Sequence, residues 1–335
     1  MPSGTSNGSK PCAGNAPEEL DGCWGSLSFE EARGHVTKSS TKMKIVSQDG
    51  DGPRNLALRL NGHVGALCCC FCRSPVDCAV GLGAFSRAEK DRVSTELASA
   101  FALVLMLAEQ CNVDLPLSVQ LKIQLNAKKY PAVLVRGSAL KYDAYQESTG
   151  FGKGCKQVLE GHNGDSGHLA ACAGRPWSDV TLQSLRAQLR NFAEDREWVK
   201  FHTPRNICLA LTGEAGELSE LFQFRDEEAC RAGLPGWTRD DRDKLSQELS
   251  DVCIYLTRLS DLCGVDLGAA LLLLLLGLRD GVPCDDDSCS AHDGRTSCPR
   301  KESRRGERWG LTACLLVGLL AVAVVLTNTK RCTTF

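Results

Sequence analysis

The chain repeats itself. Pro53-Arg54-Asn55 recurs as Pro204-Arg205-Asn206, and Leu58, Leu60, Gly62, Gly65, Leu67 and Phe71 recur as Leu209, Leu211, Gly213, Gly216, Leu218 and Phe222. Further on, Ser94-x-Glu96-Leu97 recurs as Ser246-x-Glu248-Leu249, and Cys111-x-Val113-Asp114-Leu115 as Cys263-x-Val265-Asp266-Leu267. The offset is 151 in the early matches and 152 in the later ones, so one loop residue separates the copies. A period this long marks two copies of a whole domain rather than a short solenoid unit. Whatever one copy folds into, the other must be able to fold into as well.

The copies read as helical. Leu182, Leu185, Leu189 and Phe192 fall at i, i+3, i+7 and i+10, one face of a helix. Thr203 can cap a helix that has Pro204 at its first position. Leu245, Leu249, Val252, Leu256 and Leu259 form another stripe, which Gly264 should stop, and Asp266 can cap the leucine-rich helix that follows. No segment shows apolar-polar alternation bounded by turns, so the fold class is all-α, in two tandem helical bundles. No Gly-rich loop with Lys-Ser/Thr exists, which excludes a P-loop or Rossmann nucleotide site. The formal net charge is −2, which gives no electrostatic basis for nucleic-acid binding.

Chemistry concentrates in the second copy. Glu214-x-x-Glu217 and Glu248-x-x-Asp251 are carboxylate pairs at helical i,i+3 spacing, so each pair shares a face. Such pairs are also ordinary on solvated helices. Here Gly213 and Gly216 flank the first pair, and Leu249, Val252 and Ile254 surround the second, which argues for an interior placement. Two such helices packed antiparallel would aim four carboxylates at one point, and four like charges converge stably only around a cation. All the donors are oxygens, which favours Mg²⁺, Mn²⁺ or Ca²⁺ over Zn²⁺. A helical cage of this kind suits a polyphosphate.

The runs Phe201-His-Thr-Pro-Arg-Asn through Gly213-Glu-Ala-Gly-Glu-Leu-Ser-Glu-Leu-Phe-Gln-Phe224, and Gln247-Glu-Leu-Ser-Asp-Val-Cys-Ile-Tyr-Leu256, resemble the MazG-like all-α nucleoside triphosphate pyrophosphatases, within them most nearly the dCTP pyrophosphatase branch. The resemblance covers roughly 178–267. It implies Mg²⁺, with Mn²⁺ possible, held by Glu214, Glu217, Glu248 and Asp251, and cleavage of a dNTP to dNMP and pyrophosphate. It implies nucleotide contacts from Trp198, His202, Phe224 and Tyr255. The family usually has a second Trp where this chain has Phe224, and a His where it has Leu189. Both departures bear on base selectivity more than on phosphate chemistry. Two readings from other classes stand beside it: a non-catalytic nucleotide-binding or scaffold protein, and a ferritin-like di-metal oxidase, which would need Glu-x-x-His pairs that neither helix offers.

The copies differ where it matters. Glu214 aligns with His63, Glu217 with Ala66 and Asp251 with Ser99, so copy one keeps only Glu96. Trp198 aligns with Ser47. Conversely, copy one carries Lys122-Ile-Gln-Leu-Asn126-Ala-Lys128-Lys129, which resembles the family's last helix, whose basic residues face the phosphates. Copy two has Leu274, Leu278, Asp280 and Gly281 there. Members of that family are oligomers of such bundles with sites near subunit contacts, so the resemblance implies an internal pseudo-dimer whose one composite site would use the carboxylates of copy two with Lys122, Asn126 and Lys129 of copy one. The alternative is a decayed scaffold with a solvated basic helix face.

The remaining segments divide the chain. Residues 1–22 are Ser/Gly/Asn-rich with no apolar core and read as a disordered N-terminus, not a signal peptide. The repeats occupy 23–145 and 178–283, with a linker at 146–177 and a disordered basic tether at 284–308. The 19 cysteines fit a reduced compartment better than a disulfide framework. Cys68-Cys-Cys-Phe-Cys72 reads as small apolar packing, and Cys284, Cys289, His292 and Cys298 as part of the tether rather than a zinc site. Trp309 to Leu326 is an 18-residue apolar run spanning about 27 Å, within a predicted transmembrane tail anchor at 309–327. Arg300, Lys301, Arg304, Arg305 and Arg308 would stay on the cytosolic side. The destination is the mitochondrial outer membrane or the endoplasmic reticulum. Partners expected are a nucleoside triphosphate and the membrane, with further homo-oligomers left open.

Overall fold

The computed structural model describes residues 26–39, 52–138 and 175–277, which belong to one compact unit. Among these residues the protein is all-α, with a single isolated β-bridge between Ser28 and Thr181. The helices are α1 (Phe29–Ser39), α2 (Pro53–Cys70), α3 (Arg87–Gln110), α4 (Leu115–Lys129), α5 (Ala132–Val135), α6 (Leu182–Asp195), α7 (Pro204–Glu220), α8 (Arg239–Leu262) and α9 (Leu267–Leu275).

Local chemistry sets these boundaries. Thr203 Oγ1 accepts from the Asn206 amide at 3.2 Å with Pro204 following, and Asp266 Oδ1 accepts from the Ala269 amide at 2.9 Å. The two longest helices both start with a capping box, Ser86 with Glu89 and Thr238 with Asp241. Both end in left-handed backbone, Asn112 at φ 58° after α3 and Gly264 at φ 69° after α8.

α3 and α8 form the centre. α3 is buried along nearly its whole length and packs on α1, α2, α8 and α9; α8 packs on α3, α4, α6 and α7. Among the described residues α3 alone is long and apolar enough to cross a membrane, but it is the buried core helix of this bundle. Each fully buried leucine or phenylalanine along these helices contributes about 1.5–3 kcal/mol. Phe29 meets Phe101 edge-on with centroids 5.9 Å apart. Trp177, placed by sequence in the linker, is buried in this core, and its amide donates to Glu30.

Contacts between the two ends of the chain come in reciprocal pairs. The Phe29 amide donates to the Val180 carbonyl at 2.9 Å, and the Leu182 amide to the Leu27 carbonyl at 3.1 Å. The Gly81 amide donates to the Leu262 carbonyl, and the Gly233 amide to the Gln110 carbonyl, both at 2.7 Å. The residues after these glycines, Leu82 and Leu234, both have φ 52°, a left-handed backbone that is costly for leucine and is held by full burial of both side chains. Arg54 reaches the Phe222 carbonyl and Arg205 the Arg73 carbonyl. The last helices cross over: α4 packs on α8, and α9 packs on α3.

The cysteine run differs from expectation. Cys69 and Cys72 are exposed, because successive residues of a helix cannot all face inward. Cys68 does pack, with its Sγ 3.6 Å from that of Cys208 on α7. Residues 1–25, most of the linker, and everything from 278 on lie outside the described residues; this includes Leu278, Ser47, Cys284–Cys298 and the predicted anchor at 309–327.

Candidate active site

α7 presents Glu214 and Glu217, and α8 presents Glu248. One carboxylate oxygen from each lies within 4.8 Å of the others. Asp251, one turn further along α8, is not within that spacing of all three, yet of the neighbouring charges it acts most strongly on Glu214. Its Oδ2 lies 2.6 Å from the Lys122 ammonium of α4, and the Asn126 side chain of the same helix donates to it. The crossover of α4 onto α8 thus brings Lys122 and Asn126 to the carboxylates from between 88 and 129 residues away in sequence.

The electrostatics reflect crowding. Burial, followed by the charges of Asp251, Glu217 and Glu248, pushes the Glu214 carboxyl up to about 7. Burial also raises Glu248, with Lys122 pulling the other way. Asp251 is raised too, its burial outweighing the charge and hydrogen bond of Lys122. Lys122 and Lys129 therefore offset only part of the repulsion. The donors are all oxygens, and three converge on one place, so these residues fit a hard divalent cation. The glycines do not contribute to an enclosed wall. Gly213 and Gly216 are exposed, with open space where a Cβ would stand, and Glu217 is exposed between helix turns. The site is open on the α7 side, contrary to the interior placement read from the sequence.

Beside Asp251 lies a cavity of about 100 Å³. α4 and the residue after it supply Asn126 and Tyr130, and α6 supplies Leu189 and Phe192. The loop before α7 supplies Trp198 and His202, and α8 supplies Asp251, Ile254, Tyr255 and Arg258. Trp198 is fixed by its indole N–H, which donates to the Ser138 carbonyl at 2.6 Å, and it meets the Tyr130 and Phe192 rings edge-on. Burial, then the Arg258 charge, lowers His202 to about 4, so the imidazole is neutral at physiological pH. Burial raises the Tyr255 phenol, with Glu214 and Asp251 adding to it. An aromatic slot with polar ends can stack a planar base.

Of the residues singled out by sequence, Trp198, His202, Tyr255 and Asn126 line this cavity, and Lys122 sits on Asp251. The Lys129 ammonium lies 5.4 Å from the centre of the Tyr130 ring, and its charge acts on Glu248 and Asp251. Phe224 does not join them: it is 91% exposed beyond the end of α7 and is absent from the cavity lining. The residues that sequence reasoning passed over are Tyr130, Phe192 and Arg258. The signal for Arg258 was available, since it falls seven residues after Asp251 and so shares its helix face.

The positions 151 or 152 residues before these carboxylates hold a different arrangement. His63 Nδ1 and Glu96 Oε2 are 2.7 Å apart, and Ser99 is buried. Leu274, which aligns with Lys122, joins Ala270 in an apolar contact against Ala98. That face carries neither the acidic cluster nor the lysine.

No protein-family model and no solved structure matches the chain. Curated relatives do. The chain is 41% identical to dCTP pyrophosphatase 1 of Mus musculus over 116 residues, which is 34% of this chain and 67% of that one. It is 42% identical to the Rattus norvegicus protein of that name over 119 residues, 35% of this chain and 69% of that one. With the Homo sapiens protein the identity is 47% over 94 residues, 28% of this chain and 54% of that one. A match of this identity, spanning two thirds of the rodent proteins, places a segment of this chain on theirs and leaves the remainder of both unmatched. The chain belongs to the dCTP pyrophosphatase family of MazG-like nucleoside triphosphate pyrophosphatases.

Proposed function

We propose that this protein is a Mg²⁺-dependent pyrophosphohydrolase that cleaves a dCTP-like deoxynucleoside triphosphate to its monophosphate and pyrophosphate, in a single composite site. The observation that carries this reading is the ion pair between Lys122 of α4 and Asp251 of α8, set between the Glu214, Glu217 and Glu248 cluster and the aromatic slot. The reciprocal hydrogen bonds and the exchange of α4 and α9 support a duplication folded as an internal pseudo-dimer, since isologous contacts recur in pairs across a two-fold. On this reading one half supplies the acidic cluster and the other supplies the basic helix.

Glu214, Glu217, Glu248 and Asp251 would hold the cation. When bound, Mg²⁺ neutralises triphosphate charge and lowers the pKa of a water at the site. The chain's own residues do the rest. Lys122, Lys129 and Asn126 meet phosphate oxygens, so charge building on the leaving pyrophosphate finds fixed donors. Trp198, Tyr130 and Tyr255 hold the base and thereby aim the α-phosphorus at the carboxylates. The water oxygen bonds to that phosphorus, the bond to the bridging α–β oxygen breaks, and the water's protons pass to carboxylate and then to solvent.

A pyrophosphate-release screen of all common NTPs and dNTPs, with and without Mg²⁺, tests the assignment on purified residues 1–300. Mg²⁺-dependent turnover with a deoxycytidine substrate among the best is expected, and no turnover with any nucleotide rejects it.

The same proposal makes residues 309–327 a tail anchor that leaves the catalytic unit in the cytosol, at the mitochondrial outer membrane or the endoplasmic reticulum. Deleting 309–335 should move the protein from the carbonate-resistant membrane fraction to the soluble one. Full-length protein that washes off with carbonate would refute the anchor.

A further inference from the structure

The buried charges around the far end of the slot exceed what packing requires. Asp261 accepts from Arg186 Nε at 2.8 Å, from Arg190 Nη2 at 2.7 Å and from Arg258 Nη1 at 2.6 Å. One arginine would already neutralise it. Arg258, only 6% exposed, is a further buried cation that adds desolvation cost without an anion of its own. Such a residue is explained if it faces an electron-rich ligand, and Arg258 does line the cavity.

Its bonding is ordered. Nε donates to His202 Nδ1 at 3.2 Å and Nη1 donates to Asp261, which leaves Nη2 with no hydrogen-bond partner among the described residues. An arginine can only donate, so His202 Nδ1 must be the acceptor and the ring proton sits on Nε2. His202 thus offers an N–H donor as well, and it too lines the cavity. The polar groups at this end are therefore donors.

Distance separates this end from the phosphates. Arg258 follows Asp251 by seven residues on α8, which is two turns or about 10 Å along the helix axis. With the α-phosphate at Asp251, the sugar fills the interval and the base reaches Arg258.

We infer that Arg258, oriented by Asp261 and working with His202, is a specificity-determining residue that reads a base edge carrying two adjacent acceptors, as O2 and N3 of cytosine do. Thymine and uracil carry an N–H at position 3, which would meet a donor with a donor. This rests on the slot being the nucleotide site proposed above. Neither group is part of the carboxylate cluster, so base choice and phosphate chemistry are separable in the chain.

The test is calorimetric binding of dCMP and dTMP, with Mg²⁺, to the intact protein and to Arg258→Met, a change that leaves Asp261 its two other arginines. Wild type should bind dCMP more tightly than dTMP. The variant should lose about 10- to 100-fold in dCMP affinity, the worth of one charge-assisted hydrogen bond, and hold dTMP within a few fold. Equal loss for both nucleotides, or no loss for dCMP, overturns the inference, because a merely structural role would not change the ratio. If Arg258→Met fails to fold, Arg258→Lys keeps the charge without the planar fork and should still lose the preference; a retained preference overturns the inference. Wild type that binds dCMP selectively yet hydrolyses no triphosphate would leave Arg258's role standing and defeat the hydrolase reading alone. Wild type that binds neither monophosphate defeats this one.

Discussion

Glu248→Gln stops Mg²⁺-dependent pyrophosphate release. The substitution keeps the shape of the side chain and removes one charge from the trio whose oxygens lie within 4.8 Å of one another. The cost falls on catalysis rather than folding. In the metal-free protein burial raises the Glu248 carboxyl against the attraction of Lys122, so an amide there removes a costly buried charge and gives up only that smaller attraction. Activity should fall by about 10²–10³-fold or more, the scale on which preorganised charge stabilisation acts, while the melting temperature without Mg²⁺ holds or rises. A pyrophosphate assay and a thermal melt on the same sample decide it. Turnover within tenfold of wild type would remove Glu248 from the site.

Lys122→Ala separates two roles of one residue. The pair with Asp251 is mostly shielded, with 14% and 12% of the two side chains exposed. Breaking such a pair by removing one partner costs about 3–5 kcal/mol in general. Here Asp251 can take up a proton, because burial already raises its carboxyl, so a loss of about 2–3 kcal/mol in metal-free protein is expected. Saturating Mg²⁺ should restore much of that stability, since a cation again sits among the carboxylates. It should not restore activity: kcat/KM should stay down about 10-fold or more for want of a phosphate contact. Recovery of both by Mg²⁺ would make α4 a packing element only.

Much of the architecture was legible because local rules decide it. Thr203, Pro204 and Asp266 start helices and Gly264 stops one through interactions made within a few residues, and each does so where the sequence says it should. The carboxylate spacing was legible for the same reason. The separation of Asp251 from the other three was not, because it depends on an ammonium delivered by a distant helix. Phe224 shows the opposite failure. Its position in the motif pointed to the nucleotide, yet it stands one turn past the end of α7 with nothing to hold it inward. Arg258 was legible only in its helix face, seven residues after Asp251; an arginine on a helix is ordinarily solvated, and only the neighbours Asp261 and His202 reveal that it is buried. The exposed Gly213 and Gly216 have open space around them, and we have no physical account of why they are glycine.

The crossover of α4 and α9 bears on how this chain leaves the ribosome. α4 is synthesised well before α8, the helix on which it chiefly packs. Until α8 and α9 have emerged, the α4 surface that packs on α8 and the α3 surface that α9 will cover stay bare. Native contacts of long sequence separation must close before the core is sealed, which makes folding slow and leaves apolar surface open during translation. On this ordering the nascent chain reaches its native packing only after α9, the last described helix of the bundle, has emerged.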